Sequence, residues 1–190
     1  MFEIIDPEHR LRPVVEATIR SAYQREHGAD LTSFPHWLVA NLDEAGVVCA
    51  ASVRFAEDGF FSERYLDLPI ERLVARTTGT HPDRSVLAEV GSLAAGRPGE
   101  IRDLVCGVIG FLRSRGTRWA FFTATARLRT FLRRAGMPLI ELAAADPSRI
   151  AAAETWGRYY LQDPRVMLIG DAMLSAALAP AAVAERRRHA

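Results

Sequence analysis

"EVGSLAAGRPGEIRDL" (residues 89–104) decides how this chain of 190 residues folds. Its first half has the small and apolar residues of a buried strand, and its second half begins an amphipathic helix. A strand, a glycine-containing turn and a helix N-terminus can bind a phosphate, because free backbone N–H groups and the helix dipole converge there. The alternative is a turn that only reverses the chain.

Some residues of the turn favour phosphate binding and others oppose it. Gly96 and Gly99 allow a ligand to approach the backbone, and Arg97 can pair with a phosphate. Glu100 lies at the start of the helix, where it suits the helix dipole but repels an anion. We predict that Gly96, Arg97 and Gly99 bind the phosphates of a cofactor, in a turn over residues 96–99 that precedes a helix from about residue 100.

The periodicity of apolar residues predicts a mixed α/β sheet of about seven strands. The predicted strands are residues 2–6, 36–43, 47–55, 85–95, 118–125, 138–146 and 165–171. The predicted helices are residues 8–26, 60–77 with a break near Pro69, 100–116, 128–135 and 147–160. Residues 36–43 and 47–55 read as an antiparallel hairpin, so an antiparallel first half leads into a βαβα second half.

Composition restricts the function classes. The chain is 49% hydrophobic and 25% charged, with a net charge of +1, which is typical of a soluble globular protein and gives no general attraction to DNA or to anionic membranes. "MFEIIDPEHR" (1–10) lacks the features of a signal peptide, and no apolar stretch is long enough to span a bilayer. We expect a cytoplasmic protein without stable membrane insertion. We expect one domain over residues 1–178 and a flexible basic tail over 179–190.

Neither the histidines nor the cysteines predict a metal site. The five histidines are scattered, and Cys49 and Cys106 have no metal-type spacing. Because both cysteines lie in apolar stretches, we expect them to be reduced core residues.

The order of elements resembles the layout of GNAT-type acyltransferases, in which an antiparallel half precedes a strand, a turn and a helix that receive a pyrophosphate. The usual signature there is Gln/Arg-x-x-Gly-x-Gly/Ala, and "AGRPGE" (95–100) matches it loosely. The resemblance implies a thioester cosubstrate and no permanently bound cofactor. The loose match leaves open whether the donor is acyl-CoA or an acyl chain on the phosphopantetheine of an acyl-carrier protein.

Four stretches together resemble one bacterial family, the thermostable hemolysins. They are "FSERYLDLPIE" (61–71), "LAEVGSLAA" (87–95), "RWAFFTATARLRTFLRRAGMPLIELAAADPSRI" (118–150) and "WGRYYLQDPRV" (156–166). Ser92 stands where the family typically has Asn. The family is related in fold to GNAT enzymes and to acyl-homoserine-lactone synthases, and its name implies little chemistry.

Glu89 is the strongest catalytic candidate. A carboxylate inside an apolar strand is costly unless it is paired or functional, and burial raises its pKa toward the range of a general base. We predict that Glu89 deprotonates or orients an amine acceptor. The alternative is a structural partner for an arginine such as Arg54 or Arg64.

The resemblance implies further site residues. The backbone of Leu93, Ala94 and Ala95 would pair with the pantetheine arm, and Tyr159 or Tyr160 would protonate the departing thiolate. The remaining predicted substrate-binding residues are Glu63, Arg64, Ser92, Thr123, Thr125 and Trp156. Three alternatives stay open: Tyr159 and Tyr160 belong to the core, Glu63 and Arg64 form an exposed ion-pair network, and Thr125 caps the next helix.

Four arginines, Arg127, Arg129, Arg133 and Arg134, crowd one short helix. They form either a solvated face or a docking patch for an acidic acyl-carrier protein or, less favoured, for tRNA phosphates. Taken together, the sequence favours a GNAT-like N-acyltransferase that acts on a small-molecule amine. The alternatives are an acyl-homoserine-lactone-synthase-like enzyme with a methionine-derived acceptor, and a non-catalytic binding or membrane-active protein.

Overall fold

Seven strands form one mixed sheet in the computed structural model, which describes residues 1–95 and 98–170 and gives only the backbone of residues 98 and 99. The strands are β1 (Phe2–Ile5), β2 (Trp37–Asp43), β3 (Gly46–Arg54), β4 (Leu87–Ala95), β5 (Trp119–Ala124), β6 (Ile140–Ala144) and β7 (Arg165–Ile169). Their order in the sheet is β1-β2-β3-β4-β5-β7-β6. Only the central β4–β5 pair is parallel. The predicted mixed α/β sheet is confirmed.

Four helices cover the two faces of the sheet. They are α1 (Arg12–His27), α2 (Ile70–Thr78), α3 (Pro98–Ser114) and α4 (Ala126–Arg134). Buried residues of α1 and α2 pack with Ala50, Ala94 and Phe121 on one face, and those of α3 and α4 pack with Ala51, Ala120 and other residues on the opposite face. Two hydrophobic layers therefore enclose the sheet, as its alternating side chains require.

The predicted helix over residues 147–160 is wrong. Three short 3₁₀ turns, Pro147–Arg149, Ala153–Trp156 and Tyr159–Gln162, replace it. Ala152 and Gly157 have φ angles of +57° and +54°, which interrupt a right-handed helix. The third of these turns carries the two tyrosines singled out by the sequence.

Gly157 fixes this segment against the end of α1. A Cβ atom at position 157 would lie 2.3 Å from the carbonyl oxygen of His27, so only glycine fits. The neighbouring Arg158 N–H donates a 2.7 Å hydrogen bond to the same oxygen. The end of α1 and the aromatic segment of residues 156–160 are thereby held together.

Two other expectations need correction. Helix α3 begins at Pro98, so Gly99 lies in its first turn rather than in the preceding turn. Cys49 is buried as expected, but Cys106 is exposed because it lies on the outer face of α3. Gly96, Arg97 and the tail over 179–190 lie outside the described residues.

The arginines of α4 do not form one exposed face, which is a further correction. Arg129 is buried, and its guanidinium donates to the carbonyl of Ala124 at 2.8 Å and to the carboxylate of Asp163 at 2.6 Å. Arg127, Arg133 and Arg134 are exposed. Arg129 thus ties the end of β5 to the turn that precedes β7.

Candidate active site

The two central strands separate where the candidate site begins. β4 and β5 pair only at Leu87–Trp119, Ala88–Ala120 and Glu89–Phe121. Beyond these three pairs the backbones of β4 and β5 are no longer paired, and a gap opens in the middle of the sheet. A parallel pair that opens in this way exposes N–H and C=O groups that a ligand can use.

A β-bulge in β4 lies at this gap. The register with β3 shifts between Ala50 and Ser52, and Ser92 has a φ of +48°, which few non-glycine residues adopt. The extra residue changes which face each later side chain takes. Strict alternation of side chains between the two faces therefore does not hold along β4: Ala94 packs against α1, while Leu93 and Ala95 lie on the α3 face.

An apolar cavity of about 480 Å³ enters the gap from the α3–α4 face. Its apolar walls come mainly from α3, α4 and β5, and they include Leu104, Val105, Val108, Phe122, Leu128 and Phe131. Leu93 and Ala95 also line it, whereas Ala94 does not. Its volume and mainly apolar lining suit an alkyl chain.

A smaller, more polar cleft of about 190 Å³ lies on the other face of the sheet. Ser52 and Arg54 of β3, Glu89 and the aromatic rings of Phe61 and Trp156 contribute to its walls. The cleft and the apolar cavity have several wall residues in common, namely Tyr23, Val90, Gly91, Ser92, Thr123 and Tyr159. The two spaces therefore meet at the gap between β4 and β5.

Glu89 is buried beside this meeting point, with 4% of its surface exposed. Its carboxylate accepts hydrogen bonds from the N–H of Phe61 at 2.6 Å, the N–H of Ser62 at 2.9 Å and the hydroxyl of Ser62 at 2.6 Å. Burial raises the pKa of Glu89, while these bonds and the charge of Arg54 oppose the rise. Neither Arg54 nor Arg64 forms an ion pair with Glu89 within the described residues, so its hydrogen bonds come from a loop instead.

Two hydroxyl groups link Glu89 to the meeting point. Ser62 Oγ lies 2.6 Å from Glu89 Oε1 and 2.8 Å from Thr123 Oγ1. Because an ionised carboxylate only accepts, Ser62 donates to Glu89 and Thr123 donates to Ser62. The lone pairs of Thr123 Oγ1 are then free to accept a proton from a bound group.

Of the two candidate tyrosines, only Tyr159 lines the site. Tyr159 lines both spaces, and its hydroxyl makes only a long 3.4 Å contact with the carbonyl of Thr123. Burial raises the pKa of Tyr159 well above its ordinary value, so the hydroxyl stays protonated at neutral pH. Tyr160 lines neither space, and its hydroxyl is 2.8 Å from that of Tyr65.

The other predicted residues divide between the site and its surroundings. Trp156 lines the polar cleft, and Thr125 lines the apolar cavity while its hydroxyl caps α4 at Leu128 N. Glu63 and Arg64 line neither space. Glu63 pairs with Arg84 and accepts from the N–H of Ile70, so it follows the ion-pair alternative.

Sequence reasoning missed Tyr23, His27 and Ser62. Tyr23 and His27 end α1 and pack their rings 6.4 and 5.2 Å from that of Tyr159. Burial lowers the pKa of His27, and its Nδ1 lies 2.9 Å from the amide nitrogen of Gln162. The spacing of Tyr23 and His27 on one helix face was a usable signal. Ser62 offered none, because its partners are 27 and 61 residues away.

The described residues contain neither a metal-binding cluster nor a membrane-spanning helix. No group of three or more His, Cys, Asp and Glu side chains there is placed to hold a metal ion. No described helix is long and apolar enough to cross a membrane.

Solved structures with this architecture define the fold as GNAT-like. The AHL synthase LasI is similar with a TM-score of 0.67 and 11% identity, covering 98% of each chain. FeeM, an N-acyl amino acid synthase from uncultured soil microbes, has a TM-score of 0.62 and 12% identity over 93% of this chain and 98% of its own. MesI, a CoA-dependent acyl-homoserine lactone synthase, has a TM-score of 0.59 and 18% identity over 93% and 92%.

The model of the thermostable hemolysin family matches residues 5–173, and the chain belongs to that family. The resemblance carried by the four sequence stretches is thereby confirmed. A search of curated protein sequences finds no match.

The raised pKa of Glu89 predicts a specific pH dependence of stability. The folded protein binds this proton more tightly than the unfolded chain, so the stabilising contribution is complete below the ordinary pKa of 4.5 and is lost as the pH rises through the folded pKa. Glu89→Gln does not titrate. In urea unfolding between pH 4 and pH 8, its free energy of unfolding should therefore increase relative to the wild type as the pH rises.

Glu63→Gln is the matched control with the opposite sign. Burial opposes a low pKa at Glu63, but the hydrogen bonds from Arg84 and Ile70 N–H outweigh it and lower the pKa. The stabilising effect of Glu63 is therefore lost as the pH falls, so removing it should flatten the stability curve on the acid side. Parallel curves for the wild type and Glu89→Gln would contradict the raised pKa.

Proposed function

We propose that the protein is a GNAT-like N-acyltransferase, which moves an acyl group from a thioester to a small-molecule amine. One observation carries the proposal: an apolar cavity and a polar cleft enter the sheet from opposite faces and meet beside Glu89. This arrangement suits a reaction that joins an acyl chain to a polar acceptor. The similarity in fold to FeeM and MesI supports it.

The apolar cavity would hold the acyl chain of the donor. The phosphopantetheine arm would run along the free edge of β4 at Leu93, Ala94 and Ala95, and its phosphates would reach Gly96, Arg97 and Gly99. Acyl-CoA is the donor that we favour, because two similar structures are CoA-dependent acyl-homoserine lactone synthases. An acyl-carrier protein, or less favoured a tRNA, would meet the exposed guanidiniums of Arg25 and Arg127 beside this cavity. The setting would be the bacterial cytoplasm, within a biosynthetic route.

In the proposed mechanism, the amine nitrogen attacks the thioester carbonyl carbon. The new C–N bond forms, and the proton leaving nitrogen passes from Thr123 through Ser62 to the carboxylate of Glu89. Ser62 and Thr123 form a hydrogen-bonded chain from Glu89 to the meeting point, so the proton can move without direct contact between the amine and the carboxylate. Free backbone N–H groups at the Ser92 bulge would stabilise the carbonyl oxygen as its charge develops.

Cleavage of the C–S bond releases a thiolate, which needs a hydrogen-bond donor. Tyr159 has a protonated hydroxyl at the meeting point of the two spaces, with only a weak partner in the free protein. We assign it to the thiolate in preference to Tyr160. The thiolate then takes a proton from solvent, Glu89 returns its proton to solvent, and the products are an amide and a free thiol.

Two other functions stay as alternatives. An acyl-homoserine-lactone-synthase-like reaction is favoured by the similarity in fold to LasI and would use a methionine-derived acceptor. Its product would be a lactone, which mass spectrometry distinguishes from an open-chain amide. A binding or membrane-active protein, as the family's name suggests, would not depend on Glu89.

Glu89→Gln tests the proposal. With acyl-CoAs of increasing chain length and a panel of amines, we expect the purified protein to release free thiol and form amide. Loss of the base should lower kcat by at least about 100-fold while the protein stays folded. Glu57→Gln, at an exposed carboxylate that lines neither space, should keep wild-type turnover. An unchanged rate in Glu89→Gln, or lysis of erythrocytes that both variants retain without acyl transfer, would contradict the proposal.

The neighbouring tyrosines give a matched pair with opposite expected effects. Tyr159→Phe removes the donor to a charged thiolate and should lower kcat by roughly 10- to 100-fold with little change in stability, because its hydroxyl has only a long contact. Tyr160→Phe leaves the buried hydroxyl of Tyr65 without its partner, so it should lower the free energy of unfolding by about 1–3 kcal/mol and keep kcat within about twofold. Steady-state kinetics and urea unfolding of both variants decide between the two residues.

A further inference from the structure

Arg54, in the wall of the polar cleft, has no bonded partner among the described residues. The other described arginines that are at least partly buried each donate to a carboxylate or a carbonyl; they are Arg12, Arg20, Arg84, Arg129 and Arg165. Arg54 is half-buried, yet its guanidinium forms no hydrogen bond or ion pair with any described residue. A guanidinium offers five N–H donors, and those of Arg54 are available to a ligand in the cleft.

The neighbouring acid does not use these donors. Arg54 lies directly opposite Glu89 in the β3–β4 ladder. The carboxylate of Glu89 is instead bonded to the loop at Phe61 and Ser62. The charge of Arg54 still acts on Glu89 through space and opposes the rise of its pKa.

The position of Arg54 restricts what it can bind. It lines the polar cleft but not the apolar cavity. Arg54 pairs with Glu89, which is six residues before Ala95 on β4. Arg54 is therefore roughly 20 Å from the end of the strand at Ala95, where the donor phosphates would bind. The unused guanidinium therefore faces the acceptor and not the phosphates of the donor.

We propose that Arg54 binds the carboxylate of the acceptor, so that the acceptor is an amino acid. This inference rests on the proposed acyl transfer. A guanidinium and a carboxylate form a bidentate pair, which fixes both the position and the orientation of a small ligand.

The dimensions and walls of the cleft fit such a ligand. Ser52 on β3 lies opposite Gly91, which lines both spaces. Arg54 is two residues further along β3, so it lies about 7 Å along the strand from the meeting point. An amino acid can place its carboxylate at Arg54 and its amine near Thr123. The cleft of about 190 Å³ has the aromatic rings of Phe61 and Trp156 beside this path, which favours an apolar or aromatic side chain.

The test compares amino acids with their decarboxylated amines, for example tyrosine with tyramine and leucine with isopentylamine. In the wild type, the carboxylate should raise kcat/KM by at least about tenfold. Arg54→Gln should raise KM for the amino acids about 10- to 100-fold and leave KM for the amines within about threefold, and Arg54→Lys should recover part of the loss. Because both acceptors use the same base, the ratio of their kcat/KM values cancels any effect of Arg54 on Glu89.

Arg76→Gln removes an exposed guanidinium of α2 and should change neither acceptor's KM. Equal kcat/KM for amino acids and amines in the wild type, or an equal loss for both in Arg54→Gln, would overturn the carboxylate site and leave the acyltransferase intact. Calorimetry with tyrosine separates the remaining cases. Binding that Arg54→Gln abolishes would support the carboxylate site even if no amine is acylated, whereas absence of both binding and turnover would overturn it.

Discussion

β4 and β5 stop pairing after Glu89 and Phe121, and the candidate site depends on that separation. If the two strands stayed paired, their backbone groups would satisfy one another and the sheet would be closed. Instead, α3 and α4 border an apolar cavity on one face, and a polar cleft lies on the other. The bulge at Ser92 belongs to the same constraint, because the extra residue turns Ala94 into the core against α1 and leaves Leu93 beside the cavity.

A buried carboxylate at the edge of this gap is tolerable only because a distant loop supplies its hydrogen bonds. Phe61 and Ser62 hold Glu89 in place without a salt bridge, so burial still raises its pKa. A directly bonded arginine would lower that pKa and make Glu89 a weaker base. The separation of Glu89 from the guanidinium of Arg54 is therefore consistent with two distinct tasks, proton transfer at one and carboxylate binding at the other.

Much of this organisation could be predicted from local patterns, and the rest depends on contacts across the chain. The apolar run around Glu89 and its glycine-framed exit indicated both a central strand and a buried acid. Periodicity failed over 147–160, because it does not register the positive φ of Ala152 or the close approach of Gly157 to α1. The role of Ser62 depends on Glu89 and Thr123, which only the folded chain brings close to it. The role of Arg54 depends on its lack of a bonded partner among the described residues, which the sequence does not show.

A crystal structure with an N-acyl amino acid, the expected product, tests most directly whether the gap joins the two substrates. The account predicts the alkyl chain between α3 and α4, and the amide beside Ser92 with its nitrogen near Thr123. It also predicts the carboxylate on Arg54. An alkyl chain outside the apolar cavity, or an amide that does not lie between the two spaces, would contradict the assignment of the gap as the site of acyl transfer.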